Sequence, residues 1–266
     1  MFRQKQARVE KAPAPPRLPR FSPTRIELYL FCPRAYFFYY HRGLKWGGIT
    51  AGHAFGGSLH RALQDFHRRG GAEQVSLDEL LHTLRERWSD AGFASEEEAA
   101  ARLAEGEALL GQYYEIHPEP GRETLWTEKT VQHRYDAFVL FGKVDRLDRR
   151  PDGALEVVDY KSGRLSVTED EVRESLALKI YQLLVARQHP GTPVYTGILC
   201  LRSGQSASVL RTDEELDEAE REISAVVRRI LRDEEMPPLP GEQCRDCVYP
   251  RICPPGRSYL RMQPEG

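Results

Sequence analysis

Apolar and aromatic residues run from Ile26 to Tyr40 behind Ser22-Pro23, which reads as an N-cap serine with proline at the first helical position. Pro33 is expected to break this run into two short helices. After a loop from Gly43 to Thr50, Phe55, Leu59, Leu63 and Phe66 recur on one helical face, and His60 lies on the same helix. Between about Leu77 and Tyr114 the chain is rich in Ala, Leu and Glu. Its apolar positions (Leu77, Leu80, Leu81, Leu84, Trp88, then Leu103, Leu109 and Leu110) predict a helical insert with mostly solvated charges and no assigned chemistry.

From Glu123 the period shortens. Segments 125–131, 137–144 and 155–160 read as three strands of a meander, the last two separated by the turn Pro151-Asp152-Gly153. Thr168 and Glu171 have the spacing of a capping box, and Val172, Leu176, Ile180, Leu183 and Leu184 continue a helical period. Segments 194–201 and 206–210 predict two more strands, and a helix follows over about 212–232, with acids first and Arg228, Arg229 and Arg232 last, as the helix dipole prefers. Strands in succession, a helix, two more strands and peripheral helices predict a mixed α/β sheet rather than a regular βαβ array.

Composition narrows the class. The 266 residues contain no long apolar run, so a membrane span is not expected. The first twenty residues hold six bases, one acid and four prolines, without the apolar stretch of a secretory signal, and read as a disordered basic tail of a cytoplasmic protein. Without that tail, 32 bases stand against 39 acids, a net charge of −7, so nucleic-acid binding must come from a local groove or from bound cations. Five cysteines, an odd number without an export signal, favour a metal site over a disulfide framework.

The candidate chemistry lies where two strands are expected to end. Gly142-Lys143-Val144-Asp145-Arg146 closes one, and Glu156-Val157-Val158-Asp159-Tyr160-Lys161 closes the next. Residues two apart share a face, so Asp159 and Lys161 project together, and Asp145 joins them if the strands pair. Two carboxylates held together repel unless a cation intervenes, and oxygen ligands suit Mg²⁺ or Mn²⁺.

Three elements in one order, Gly56-Gly57-Ser58-Leu59-His60, then Gly142 to Asp145, then Asp159-Tyr160-Lys161, resemble the RecB-like branch of the PD-(D/E)XK nucleases. The resemblance implies a restriction-endonuclease-like α/β fold, a mixed central sheet flanked by helices. It also implies a metal held by His60, Asp145, Asp159 and the Tyr160 carbonyl, with Lys161 serving the attacking water. Glu128 matches a further glutamate of the family. Tyr181 fits a tyrosine on the helix after the D-x-K strand, but Ala177 stands where the family has glutamine, and Gln182 comes just after.

Cys244, Cys247 and Cys253 form C-x2-C-x5-C near the C-terminus, while Cys32 stands apart from them across 211 intervening residues. This one-plus-three split around a D-x-K core is similar to the four-cysteine 4Fe-4S staple of AddB nuclease domains and CRISPR-associated RecB-like exonucleases. Structural zinc is the alternative. Cys200, in an apolar strand, reads as a buried hydrophobe. The implied organisation is one nuclease domain over 21–256, with the helical insert at 77–117, the cysteine-rich segment at 237–256, and tails at 1–20 and 257–266.

The implied function is metal-dependent hydrolysis of DNA at ends or on single strands, in repair, recombination or defence. Arg34, Lys45, Arg146 and Arg164 are candidate phosphate contacts; Tyr36, Phe37, Phe38 and Tyr40 are candidate stacking residues or core. No G-x-x-x-x-G-K-[ST] loop is present, so any unwinding would fall to a partner helicase. The competing class is a catalytically inactive DNA-binding or assembly module of a helicase–nuclease complex, against which the intact His60, Asp145, Asp159, Lys161 set speaks. A redox role for the cluster finds no second cofactor signature.

Overall fold

The computed structural model describes residues 17–45, 48–116 and 120–262. Most of the expected basic tail, residues 1–16, lies outside them, as does the end of the expected C-terminal tail, residues 263–266.

The first element among the described residues is a strand that the hydrophobic pattern does not announce, β1 (Arg20–Phe21). Ser22 then caps α1 (Pro23–Phe31) by accepting from the Arg25 N–H, and Cys32 takes an extended backbone (φ −169°, ψ 116°) that separates α1 from α2 (Pro33–Tyr36). A single π-turn, Phe37–His41, closes the segment. Helix α3 (Ala51–Arg68) carries His60. The insert folds as α4 (Leu77–Glu86), started by a full Ser76–Glu79 capping box, and α5 (Glu96–Ile116).

The sheet follows. β2 (Glu123–Arg134) and β3 (Val139–Arg149) form a long antiparallel hairpin, and β4 (Leu155–Lys161) pairs antiparallel with β3. Asp145 therefore lies inside β3 rather than at its end: the charged residues after it belong to the strand because their charges are paired. Thr168 caps α6 (Glu169–Glu174), but Ser175 breaks the expected continuous helix and recaps α7 (Leu176–Gln188). β5 (Val194–Cys200) returns parallel to β4, and β6 (Ser206–Leu210) lies antiparallel outside it. Helix α8 (Asp213–Arg232) precedes the cysteine-rich segment, and α9 (Pro254–Met262) runs from the end of that segment into the stretch expected to be a tail, 257–266.

The order β1-β3-β4-β5-β6, with β2 on the other edge of β3, is a mixed sheet between two helical layers. On one face Leu147, Leu155 and Val157 meet α1, α7 and α8 through Ile26, Ile180, Leu184, Ile223 and Val227. On the other, Val158, Tyr160 and Leu199 meet α3, α4 and α5 through Leu59, Leu63, Leu84 and Leu110. Covered on both sides, β4 is buried along almost its whole length, as a central strand must be. Among the described residues no helix is long and apolar enough to cross a membrane.

A buried guanidinium ties the α6–α7 break to the sheet. Arg211 donates to Gln182 Oε1 at 2.8 Å, Thr196 Oγ1 at 3.0 Å and the carbonyls of Val172 at 2.6 Å and Arg173 at 2.8 Å, at the C-terminal end of α6. These partners are neutral, and burial holds the Arg211 pKa down to about 10. Arg211→Ala leaves the two carbonyls and Gln182 without this donor. It should cost about 3 kcal/mol in urea-denaturation free energy, as loss of hydrogen bonds from a charged group implies, without changing the site described next.

Candidate active site

Strand β3 shares one edge between two neighbours. β1 pairs with Val139 and Leu140, β4 pairs with Arg146 to Arg149, and the edge between them opens from Phe141 to Asp145. Arg146↔Val158 is the last rung, so Asp145 and Asp159 stand just beyond it on adjacent strands. On the other edge, rungs Thr127↔Arg146 and Lys129↔Val144 bracket Glu128 opposite Asp145. Glu128, Asp145 and Asp159 thus form a row across three strands. Glu128 adopts φ +50°, a left-handed backbone that costs a non-glycine residue about 1–2 kcal/mol.

His60 reaches this row from α3. Its Nδ1 lies 3.4 Å from Asp145 Oδ2 and 3.8 Å from Glu128 Oε1, and its Nε2 faces the Tyr160 carbonyl at 3.2 Å. A carbonyl only accepts, so Nε2 carries a proton and donates. The Tyr160 N–H donates to Asp145 Oδ2 at 3.0 Å. Burial pushes the His60 pKa down, but the hydrogen bonds of Asp145 and Glu128 and the charges of Asp145 and Asp159 outweigh it and raise the value to about 10. At neutral pH the imidazolium is then the cation between Asp145 and Glu128. Burial, followed by the charge of Asp145, raises the Asp159 pKa, with Lys161 pulling against them.

The Lys161 ammonium lies 2.6 Å from Asp159 Oδ2 as an ion pair, yet this buried oxygen has no aligned hydrogen-bond donor. The donor set fits a divalent cation: ligand atoms of His60, Glu128 and Asp145 lie within 4.8 Å of one another, and Asp159, outside that group, stands on the adjacent strand held by Lys161. Lys161 is half-exposed. Its pKa, lowered by burial and raised more by Asp159, ends above the ordinary value, so it is a proton donor at neutral pH.

The glycine of G-x-x-D has a steric reason. A Cβ on Gly142 would stand 2.5 Å from Tyr181 Cε1, so the Tyr181 ring covers the opening only over a bare Cα. Burial and the charges of Asp159, Asp145, Glu27 and Glu128 raise the Tyr181 pKa, and the phenol stays protonated. Glu27, on α1, was not legible as a site residue. It stands at the rim, with a pKa raised by partial burial against the pull of Lys161.

Other expected residues lie elsewhere. Arg146 is 5% exposed and ion-paired with Asp148 at 2.9 Å, so it cannot contact a phosphate at the surface; alternation turns it to the face opposite Asp145. Arg34, Lys45 and Arg164 keep accessible surface, although Arg164 is paired with Glu171. Tyr36 is core, which removes it from stacking on bases, and Phe38 is partly buried against Tyr249, with ring centroids 5.3 Å apart. Phe37 is partly buried against the core, and Tyr40 is exposed, with the Arg25 guanidinium 4.5 Å from its ring centre. Gln182 is buried under Arg211 and does not face the site.

Cys32, Cys244, Cys247 and Cys253 line one cavity between α2 and the C-terminal segment. The Leu239 N–H donates to Cys32 Sγ at 3.5 Å, and the Tyr249 N–H to Cys247 Sγ at 3.4 Å. Burial raises the Cys247 pKa, and the other three cysteines add to the shift. No three of these sulphurs lie within 4.8 Å of one another. Cys200 is buried with Ile198 and Val209, away from them.

Among curated proteins none matches the chain. A solved structure from Eubacterium rectale that carries the name "Putative exonuclease" superposes with a TM-score of 0.53 at 17% identity, covering 87% of this chain and 88% of that one. A structure named "SSO0001" gives a TM-score of 0.42 at 13% identity, over 88% of this chain and 85% of the other, an overlap too low to carry the fold. The described family "PD-(D/E)XK nuclease superfamily" matches residues 20–254, and the chain belongs to that superfamily of nucleases.

Proposed function

We propose that this protein is a divalent-metal-dependent deoxyribonuclease of RecB-like type that acts as an exonuclease at DNA ends or on single strands. The observation that carries the reading is the row Glu128, Asp145, Asp159, with His60 above it and Lys161 beside it, in the one stretch of β3 edge left open between β1 and β4. The name of the Eubacterium rectale structure points the same way.

His60, Glu128, Asp145 and Asp159 would hold the cation, while the Tyr160 carbonyl, expected from the sequence as a further ligand, accepts the His60 Nε2–H instead; the imidazole favours Mn²⁺ relative to Mg²⁺. Bound there, a divalent cation supplies Lewis-acid activation of a phosphoryl oxygen and of a water. The chain's own groups set the geometry. Lys161, protonated and half-exposed, orients the attacking water and donates to the phosphate, and the Tyr181 hydroxyl donates from above. Water oxygen bonds to phosphorus, the bond to the 3′ oxygen breaks, and that oxygen takes a proton, leaving a 5′-phosphate. Arg34, Lys45 and Arg164 are the remaining candidates for backbone contacts, and Tyr40 for stacking.

We propose further that Cys32, Cys244, Cys247 and Cys253 hold a structural 4Fe-4S cluster. Four cysteines around one cavity supply the thiolate set such a cluster takes, and structural zinc is the alternative. The two N–H groups directed at sulphur suit thiolate ligands. Closing so long a loop removes chain entropy from the unfolded state worth roughly 5 kcal/mol.

The test is cleavage of end-labelled single- and double-stranded DNA, linear and circular, with Mn²⁺ or Mg²⁺. Linear substrates should be degraded from an end, and Asp159→Asn and Lys161→Ala should each lower the rate by at least about 10²-fold while the melting temperature holds. Wild-type rates in both variants would defeat the assignment, and DNA binding without cleavage by the native protein would mark an inactive module.

For the cysteines, anaerobically purified protein should be brown, with iron and sulfide near four each per chain, as such a cluster requires. Cys32→Ser and Cys253→Ser should lose the colour and melt well below wild type, whereas Cys200→Ser should keep both. Colourless protein with one zinc per chain would replace the cluster by zinc.

A further inference from the structure

Tyr160 lies between two polar groups on opposite sides of its own residue. Its backbone belongs to the candidate active site, where the N–H holds Asp145 Oδ2 and the carbonyl takes the His60 Nε2–H. Its side chain points the other way, into the layer of α3 and α5. There its hydroxyl accepts from Arg146 Nη1 at 2.8 Å and lies 3.3 Å from the Tyr113 hydroxyl. The ring is boxed edge-on by His60 and Tyr113, at centroid distances of 5.7 and 6.1 Å.

Arg146 is itself fixed. The two protons of the same Nη1 go to the Tyr160 and Tyr113 hydroxyls, the latter at 2.6 Å, while Nη2 pairs with Asp148 Oδ2 at 2.9 Å. His67 Nε2, 2.8 Å from that donor nitrogen, carries no proton and accepts from the Tyr113 hydroxyl at 2.6 Å, so Nδ1 carries the proton toward Thr124 Oγ1, 3.2 Å away. Thr124 passes its own hydroxyl proton to Asp148 Oδ1 at 2.9 Å, which closes a ring of bonds around buried charges. His67 sits two turns after His60 on the same face of α3, so this ring and the active site share both α3 and β4.

We infer that Arg146 and Tyr113 are positioning residues for the metal site, acting through the Tyr160 hydroxyl to place the Tyr160 peptide. The carbonyl fixes the proton of His60 on Nε2 and leaves Nδ1 facing Asp145 and Glu128, the nitrogen that can ligate. The N–H fixes Asp145. The cluster thus sets two candidate ligands at once from the far side of the strand, and it gives the helical insert, through Tyr113, a part in the site. This inference rests on the metal-dependent reading above.

The experiment measures Mn²⁺ binding to the full-length protein by calorimetry, well below the melting temperature and without DNA. Tyr160→Phe keeps the ring and the peptide and removes only the hydroxyl; its Mn²⁺ dissociation constant should rise about tenfold, the size of effect seen when a ligand's outer partner is lost. Tyr113→Phe, which removes the neighbouring hydroxyl, should raise it in the same direction by a few-fold, and it carries the test should Tyr160→Phe not fold. Arg211→Ala, destabilised but remote, should bind Mn²⁺ as the wild type does. Wild-type affinity in both tyrosine variants, or an equal loss in Arg211→Ala, would overturn the positioning role while leaving the metal reading intact. A wild-type protein that binds no Mn²⁺ would overturn both.

Discussion

Three carboxylates in one row are the constraint on which the rest of this structure turns. Two unit charges about 4 Å apart at an effective dielectric of about 20 repel by about 4 kcal/mol, and Glu128, Asp145 and Asp159 stand on adjacent strands. The chain answers each with a cation: Lys143 beside Glu128, His60 beside Asp145, Lys161 beside Asp159. None of the three pairs is deeply sealed, so the cations can give way to a harder, doubly charged one. The raised pKa of His60 expresses the same demand, since the acids hold a proton on the imidazole when nothing stronger competes for them.

The row is accessible only because the sheet is incomplete there. β1 reaches just two residues of β3 and β4 reaches four, so the edge between them has no ladder partner and its polar groups face the opening. β1 runs directly into α1, whose Ile26 and Tyr29 pack in the core with α7 and α8. The far end of α1 is Cys32, in the cavity shared with the C-terminal cysteines, and Tyr249 from that segment donates to the Leu44 carbonyl at 2.6 Å. One wall of the opening is therefore held from both ends of the chain, which gives the cysteine cavity a bearing on the site without any contact with it.

What was legible in the sequence follows from the range of the signal. His60, Asp145, Asp159 and Lys161 stand in short motifs, and the structure brings them together, as it brings the four spaced cysteines to one cavity. The helices with strong periodicity form where the pattern puts them. β1 escaped because two residues show no period, and the Ser175 break escaped because the apolar spacing runs on across it while Ser175 supplies a fresh cap. Arg146 was misread for a physical reason. A charged residue next to a motif aspartate looks solvent-facing unless the alternation of the strand is followed through, and Asp148, two positions on, is the sign that a buried partner shares its face. Glu27, His67 and Tyr113 lie far in sequence from what they touch, and no local spacing marks them.

Arg146 and Lys161 illustrate how the fold divides its charges between two tasks. Arg146 and Asp148 are 5% and 0% exposed, and burial makes any exchange of partners costly, so their geometry is fixed. His60, Glu128 and Lys161 keep 25%, 12% and 44% of their side chains exposed, and water can take part whenever a pair opens. The sheet separates the two populations by the alternation of its strands, with Asp145 on one side of β3 and Arg146 on the other. Tyr160 is the residue at which they meet, its hydroxyl in the rigid set and its peptide in the exchangeable one. A site that releases protons and accepts an ion, as proposed for this one, needs loose pairs, and loose pairs hold their geometry only when the backbone between them is gripped from elsewhere. In this protein the grip comes through a side chain on the opposite face of the same strand.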